Sequence, residues 1–154
     1  MTHMNLRISF LGIGLMGTPM TRNLLDAGFS MTLWNRTTSK CEPFASEATI
    51  AGTPAEAVAE ADIVIAMLEN GQVVDDVLVK QGAMAAVKPG ALVIDMSSVQ
   101  PSLAREHAEL AAEQGAGYVD APVSGGTVGA AEARLSIMAG GSEADIERAL
   151  PVFN

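Results

Sequence analysis

Cysteine and positive charge are both scarce in this chain. Its 154 residues contain one cysteine, Cys41, which excludes an internal disulfide framework and suits a reducing compartment. Nine basic side chains stand against eighteen acidic ones, a formal net charge of -9. Such a balance repels phosphate and excludes a dedicated nucleic-acid binder. No uninterrupted apolar run approaches the roughly 20 residues needed to span a bilayer. The first residues, Met1-Thr2-His3-Met4, carry neither the positive segment nor the apolar stretch of a signal peptide. No repeat, charge block or low-complexity linker divides the chain. Lysine is confined to Lys40, Lys80 and Lys88, so residues 89–154 contain none. The expectation is a soluble, cytoplasmic domain that partners neither nucleic acid nor a membrane. Apolar residues make up 49% of the chain, which excludes intrinsic disorder, and the length suits one domain with a substantial core.

Short aliphatic runs alternate with longer, alanine-rich segments. Residues 6–11, 29–34, 62–67 and 91–95 read as strands, and the last two are nearly continuous apolar runs of the kind buried on both faces of a parallel sheet. Residues 117–120 and 135–139 are two later strand candidates. Helices are expected over 15–27, 54–61, 101–114 and 142–150. The second has Thr53 as N-cap, Pro54 at the first helical position and Glu56 placed for a capping box. Strands alternating with crossover helices imply right-handed βαβ units and a doubly wound α/β domain.

Directly after the first strand comes Gly12-Ile13-Gly14-Leu15-Met16-Gly17, and a helical pattern begins at once. Gly12 permits the tight turn, Gly14 lets a pyrophosphate approach the backbone, and Gly17 lets helix and strand pack closely. The helix N-terminus then offers N–H groups and partial positive charge to the phosphates. The preceding strand and following helix favour dinucleotide binding over an ordinary glycine turn.

After the second strand, a carboxylate would bind a free ribose 2′-hydroxyl and repel a 2′-phosphate. This chain instead has the neutral Asn35, then Arg36, Thr37, Thr38 and Lys40. That set favours NADP over NAD, against the plainer reading of a solvated turn with a helix-capping threonine. Met67 and Leu68 end the next strand at the edge where a cofactor would lie, although core packing explains both equally well. Two further strand ends, Asp95-Met96-Ser97-Ser98 and Asp120-Ala121-Pro122-Val123-Ser124-Gly125-Gly126, reach the same edge of a parallel sheet. Ser124, Gly125 and Gly126 can offer a hydroxyl and backbone N–H groups to a small carboxylate. They suit equally a loop that needs glycine for its backbone angles, with Ser97 as an N-cap.

Together, Phe10-Leu11-Gly12-Ile13-Gly14-Leu15-Met16-Gly17, Trp34-Asn35-Arg36-Thr37 and the two later segments resemble the β-hydroxyacid dehydrogenases, the family of 3-hydroxyisobutyrate dehydrogenase and related semialdehyde reductases. The resemblance runs from about residue 6 to residue 153. It implies a Rossmann-type dinucleotide-binding domain over 1–154 that stops before its last strand, without the family's all-helical C-terminal domain. It implies a pyrophosphate at Gly12, Ile13, Gly14, Leu15, Met16 and Gly17, and the adenosine ribose at Asn35, Arg36 and Thr37. Met67 and Leu68 would line the cofactor cleft, and Ser98, with Ser97 beside it, would lie near the nicotinamide. Ser124, Gly125 and Gly126 would bind the substrate carboxylate.

The implied reaction moves a hydride between the nicotinamide and the carbinol carbon of a small hydroxy acid or semialdehyde. The family's proton-transferring lysine would lie on a helix beyond Asn154, so no residue of this chain is assigned a catalytic role. The family's helical domain usually makes the homo-oligomer. The resemblance therefore leaves open an oxidoreductase whose cofactor-binding half is this chain and a nucleotide-binding module without activity. Imine reductases share the glycine turn and the Asn-Arg-Thr segment but generally lack Ser-Gly-Gly. A structural interaction domain is disfavoured, because three glycine-bearing loops converge on one edge.

Overall fold

The computed structural model describes residues 6–97 and 99–121, together with the backbone of the short strands at 123–124 and 136–137. Its centre is a six-stranded parallel sheet in the order β3-β2-β1-β4-β5-β6. The strands are β1 (Arg7–Leu11), β2 (Ser30–Trp34), β3 (Thr49–Ile50), β4 (Ile63–Ala66), β5 (Leu92–Asp95) and β6 (Gly117–Asp120). The chain runs outward from β1 to β3, then returns to β4 on the other side of β1. This reversal opens a crevice between β1 and β4 at the carboxyl edge, the place where doubly wound folds bind ligands.

Side-chain alternation gives each face its own core. Ile8 and Phe10 of β1, Ile63 and Ile65 of β4, and Leu92 and Ile94 of β5 point to one face, where Met20 and Leu24 of helix α1 (Gly17–Asp26) cover them. Leu11, Val64 and Val93 point to the other face. There they meet α2 (Pro54–Val58), α3 (Gly71–Asp75), the π-turn Asp76–Lys80, α4 (Ala83–Ala86) and α5 (Pro101–Glu113). Every residue of β4 and β5 is buried, as their continuous apolar runs predict.

Sequence signals start α2 as expected, and another starts α3 in a stretch where no helix is expected. Thr53 caps α2 by accepting the Glu56 N–H at 3.1 Å, with Pro54 at the first position. Asn70 caps α3 by accepting the Val73 N–H at 3.0 Å, so the segment beyond Glu69 is helical. The first helix begins at Gly17, which leaves Leu15 before it and 85% exposed. The 135–139 strand candidate contributes Ser136–Ile137 (β8), which pairs antiparallel with Val123–Ser124 (β7) in a separate two-stranded sheet. The helix expected over 142–150 lies outside the described residues. No described helix is long and apolar enough to cross a membrane.

Candidate cofactor cleft

The glycine turn is fixed by contacts that leave no room for side chains at two of its three glycines. Gly12 has φ +105°, a backbone conformation that costs a non-glycine residue about 1–2 kcal/mol. A Cβ there would also collide with the Met67 carbonyl and stand 2.9 Å from Leu68 Cδ2. A Cβ at Gly17 would collide with the Gly12 carbonyl oxygen and lie 3.2 Å from Phe10 Cε1. These two glycines therefore close the turn onto β4 and bring α1 against β1. Gly14 differs, because a Cβ there would meet nothing within 4 Å. Its backbone faces free space in the cleft, where an anion can approach.

The start of α1 is suited to such an anion. Its N-cap residue, Met16, makes no side-chain capping bond, and its first turn holds no acidic residue. By contrast, α2 and α3 are capped by Thr53 and Asn70. The macrodipole of this ten-residue helix is thus unneutralised by its own side chains, directly behind Gly14.

The cleft measures about 350 Å3 and is lined by Gly12, Gly14, Trp34, Asn35, Arg36, Thr37, Lys40, Met67, Leu68, Glu69, Gln72, Val73, Asp76, Val77 and Gln81. Its floor is the glycine turn and the ends of β2 and β4. Arg36 and Lys40 stand on the β2 side, exposed, and neither makes an ion pair among the described residues. Thr37 precedes the 3-10 helix Thr38–Phe44 but makes no capping bond, so its hydroxyl is not spent on the helix. The far wall is α3 and the π-turn. Gln72, Val73, Asp76, Val77 and Gln81 line the cleft from a segment where no helix is expected, and none of them is among the expected site residues. Asn70 as a cap and the apolar pairs Val73-Val74 and Val77-Leu78 are the available signals.

Asn35 holds two parts of the site together. Its Oδ1 accepts the Ile13 N–H at 2.9 Å, and its Nδ2 donates to the Thr37 carbonyl at 3.0 Å. The Gly12 N–H also donates to the Trp34 carbonyl at 2.9 Å. Glycine turn and Arg36 loop are consequently tied to one another by a side chain 22 positions away in sequence.

Ser97 departs from the expected cofactor contact. It is fully buried. Its Oγ accepts the Leu68 N–H at 2.8 Å and lies 3.5 Å from the Ala66 carbonyl, while its N–H donates to Asp95 Oδ1 at 2.9 Å. A hydroxyl enclosed in this way touches the β4–α3 connection and does not line the cleft. Ser98, Gly125 and Gly126, and the side chain of Ser124, lie outside the described residues. So does Asn154, the position beyond which the resemblance sets the family's lysine.

The carboxyl edge also buries a cluster of titratable groups. Asp95 Oδ2 accepts the Tyr118 hydroxyl at 3.3 Å. Burial, opposed by the Ser97 hydrogen bonds, pushes the Asp95 carboxyl up to about 6. Burial also raises Asp120, its neighbour across β5 and β6. His107 is buried in α5, with Nε2 3.0 Å from Asp75 Oδ1 in α3, so it braces the cleft wall from behind. Lys88 is remote from all of this. Its Nζ pairs at 2.8 Å with Asp62, which directly precedes β4 at the amino edge of the sheet.

Comparison with known proteins agrees with this geometry. Residues 7–154 match the family described as the NAD binding domain of 6-phosphogluconate dehydrogenase. A probable 3-hydroxyisobutyrate dehydrogenase of Mycobacterium bovis is 43% identical over 95% of this chain and 49% of its own length. The NAD-dependent L-serine dehydrogenase of Pseudomonas aeruginosa is 40% identical over 96% of this chain and 50% of its own. The solved structure of Mycobacterium tuberculosis 3-hydroxyisobutyrate dehydrogenase with L-serine superposes with a TM-score of 0.90 at 41% identity, covering 96% of this chain and 50% of that one. The chain thus spans about half the length of the curated relatives it matches. By sequence and fold it belongs to the family of NAD-binding domains shared by 6-phosphogluconate dehydrogenase and the 3-hydroxyisobutyrate dehydrogenases.

Proposed function

We propose that this chain is the cofactor-binding half of an NADP-preferring hydroxyacid dehydrogenase or semialdehyde reductase. One observation carries the reading. The open approach to Gly14, at an uncapped helix start, shares a cleft with Arg36 and Lys40. A dinucleotide laid along it would set its pyrophosphate on Gly14 and the first turn of α1. Its adenosine ribose would then lie by Arg36 and Thr37. A 2′-phosphate there would meet the planar guanidinium of Arg36 and the Lys40 ammonium, with no carboxylate at position 35 to repel it. The bound cofactor supplies the hydride chemistry. This chain's own residues position it, and Ser124, Gly125 and Gly126 are the proposed segment for a small substrate carboxylate. No residue of this chain is proposed as the reaction's proton-transferring lysine.

The test is a pair of dissociation constants, for NADPH and NADH, with and without Arg36→Ala. The unmodified chain is expected to bind NADPH more tightly. Arg36→Ala is expected to weaken NADPH by about 1.5–3 kcal/mol, roughly ten- to a hundredfold, with little change for NADH. Equal affinities in the unmodified chain would refute the preference, and no binding of either would refute the cofactor reading.

A second reading is that the 154-residue chain binds nucleotide without turning over substrate. It is favoured by the placement of Lys88 at the opposite edge and by the absence of lysine from residues 89–154. Robust reduction of a semialdehyde by this chain alone would overturn it.

A further inference from the structure

We propose that Ser97 is a positioning residue of the cofactor cleft, setting its β4 side through the part-buried hydrogen bond its hydroxyl accepts from the Leu68 N–H. The proposal rests on the dinucleotide reading above and adds to it a residue that touches no ligand.

The Met67–Leu68 segment is where the sheet meets the glycine turn. The Met67 N–H donates to the Leu11 carbonyl at 2.9 Å, so the segment continues the β1–β4 ladder for one more bond. The Met67 carbonyl and Leu68 Cδ2 are also the atoms that a side chain at Gly12 would strike, so they border that glycine closely. One residue later the ladder has ended and the chain must turn toward Asn70, the cap of α3. The Leu68 N–H falls at this break, part-buried. Its partner is the Ser97 hydroxyl at 2.8 Å, reaching across from the connection that follows β5. A buried N–H without a partner costs about 1–3 kcal/mol, enough to displace a two-residue connection.

The hydroxyl is itself held from behind. Asp95 Oδ1 accepts the Ser97 N–H at 2.9 Å, and Tyr118 on β6 donates to the other carboxylate oxygen at 3.3 Å. A run of hydrogen bonds therefore links the Tyr118 hydroxyl on β6, the Asp95 carboxylate at the end of β5, the Ser97 N–H and hydroxyl, and the backbone at Leu68, which borders Gly12. Since Gly12 tolerates no intrusion, a shift at Leu68 must either open the cleft floor or move the turn that presents Gly14. Alanine at position 97 would keep the fold and the side-chain volume within one atom while removing the hydroxyl that accepts from Leu68 and donates at 3.5 Å to the Ala66 carbonyl.

The experiment compares the unmodified 154-residue chain with Ser97→Ala, Ser97→Thr and a buried control remote from the cleft, Val58→Ala. The measurements are NADPH and NADH affinity, the unfolding midpoint, and hydrogen exchange of the Leu68 amide by NMR. Ser97→Ala is expected to exchange the Leu68 amide faster and to weaken the preferred cofactor by about tenfold. Val58→Ala is expected to lower the midpoint with affinity intact, and Ser97→Thr to restore both the slow amide and the affinity. Unchanged cofactor affinity in Ser97→Ala overturns the proposal alone. So does an equal loss in Val58→Ala, or a Ser97→Thr chain with the unmodified midpoint and the weakened affinity. Failure of the unmodified chain to bind either cofactor overturns the dinucleotide reading and takes this proposal with it.

Discussion

Asp95 should make part of the chain's stability change with pH in a direction opposite to ordinary acid denaturation, and replacing it by asparagine should remove that part. Asp95 is fully buried at the end of β5, and burial outweighs its hydrogen bonds from Ser97, moving its carboxyl from 3.8 to about 6. The folded chain therefore holds this proton more tightly than the unfolded chain does. Between pH about 4 and about 6 the unfolded state releases its proton first, so this group's contribution to stability falls as pH rises. At about 1.36 kcal/mol per pH unit, the interval from 3.8 to about 6 amounts to about 3 kcal/mol of penalty above pH 7. Asparagine cannot ionise and avoids it. Its carbonyl still accepts the Ser97 N–H, and its amide can donate to Tyr118, whose hydroxyl then accepts. Among the described residues two carboxyls are instead depressed: Asp62, where partial burial is outweighed by Lys88 and the Arg7 N–H, and Glu47, held low by its hydrogen bond from Arg22. Their stabilisation is lost in acid in both chains and cancels in the difference. Urea unfolding of both chains across this pH range should thus show Asp95→Asn gaining about 3 kcal/mol on the parent chain from acid to neutral pH. A difference that stays flat, or that grows toward acid, would refute the argument that burial controls this group.

Gly12→Ala and Gly14→Ala should separate folding from binding. The first meets both a positive φ and the Met67 carbonyl and is expected to destabilise the chain by at least about 2 kcal/mol, read as a lowered denaturation midpoint. The second points its methyl into open space and should change stability by less than about 1 kcal/mol. Because that methyl stands where the pyrophosphate must approach, cofactor titration should show at least about a tenfold loss. Asn35→Asp should keep the Ile13 N–H bond but set a carboxylate oxygen against the Thr37 carbonyl, now bonded at 3.0 Å. The NADPH-to-NADH affinity ratio should fall by about tenfold or more, and an unchanged ratio would refute the role given to the neutral side chain.

What the sequence shows plainly are features whose cause is local. The runs through β4 and β5 are legible because both faces of a central parallel strand are buried, so no polar residue interrupts them. The glycine turn is legible because three glycines at fixed spacing answer three backbone demands, two of which the structure expresses as collisions at Gly12 and Gly17. The cap of α2 is legible, but α3 and the π-turn are not, since short segments carrying Gln72, Asp75 and Asp76 blur a helical period. His107 packs inward, where the buried face of α5 is otherwise Ala104 and Ala111, and its imidazole reaches Asp75. Ser97 reads as near the ligand because it lies at the right strand end. Which way a hydroxyl turns at that point depends on Leu68, 29 positions earlier, and no local pattern records it.

The same distinction explains how an acidic chain can serve a polyanionic cofactor. A net charge of -9 sets the long-range field, which is screened beyond about 8–10 Å at ordinary ionic strength. Binding within the cleft is governed instead by groups inside that distance, and these are arranged against the average. At the start of α1 no carboxylate stands in the first turn and no side chain caps the free N–H groups. Arg36 and Lys40 have no acidic partner among the described residues, whereas Arg22 is committed to Glu47 and Asp26, Arg7 to Glu60 and Lys88 to Asp62. Surface ion pairs of that kind are worth little to stability. Their main effect here is to occupy cations elsewhere, while those bordering the cleft remain available. Glu69 and Asp76 are the acidic residues of the cleft wall, and they stand on the α3 side, opposite the proposed phosphate. The cleft is thus polarised across its width, with cations by the β2 end and carboxylates by α3. On the proposed reading, that polarity would orient a molecule bearing phosphate at one corner and an amino-substituted base at another, which a uniformly basic groove would not do.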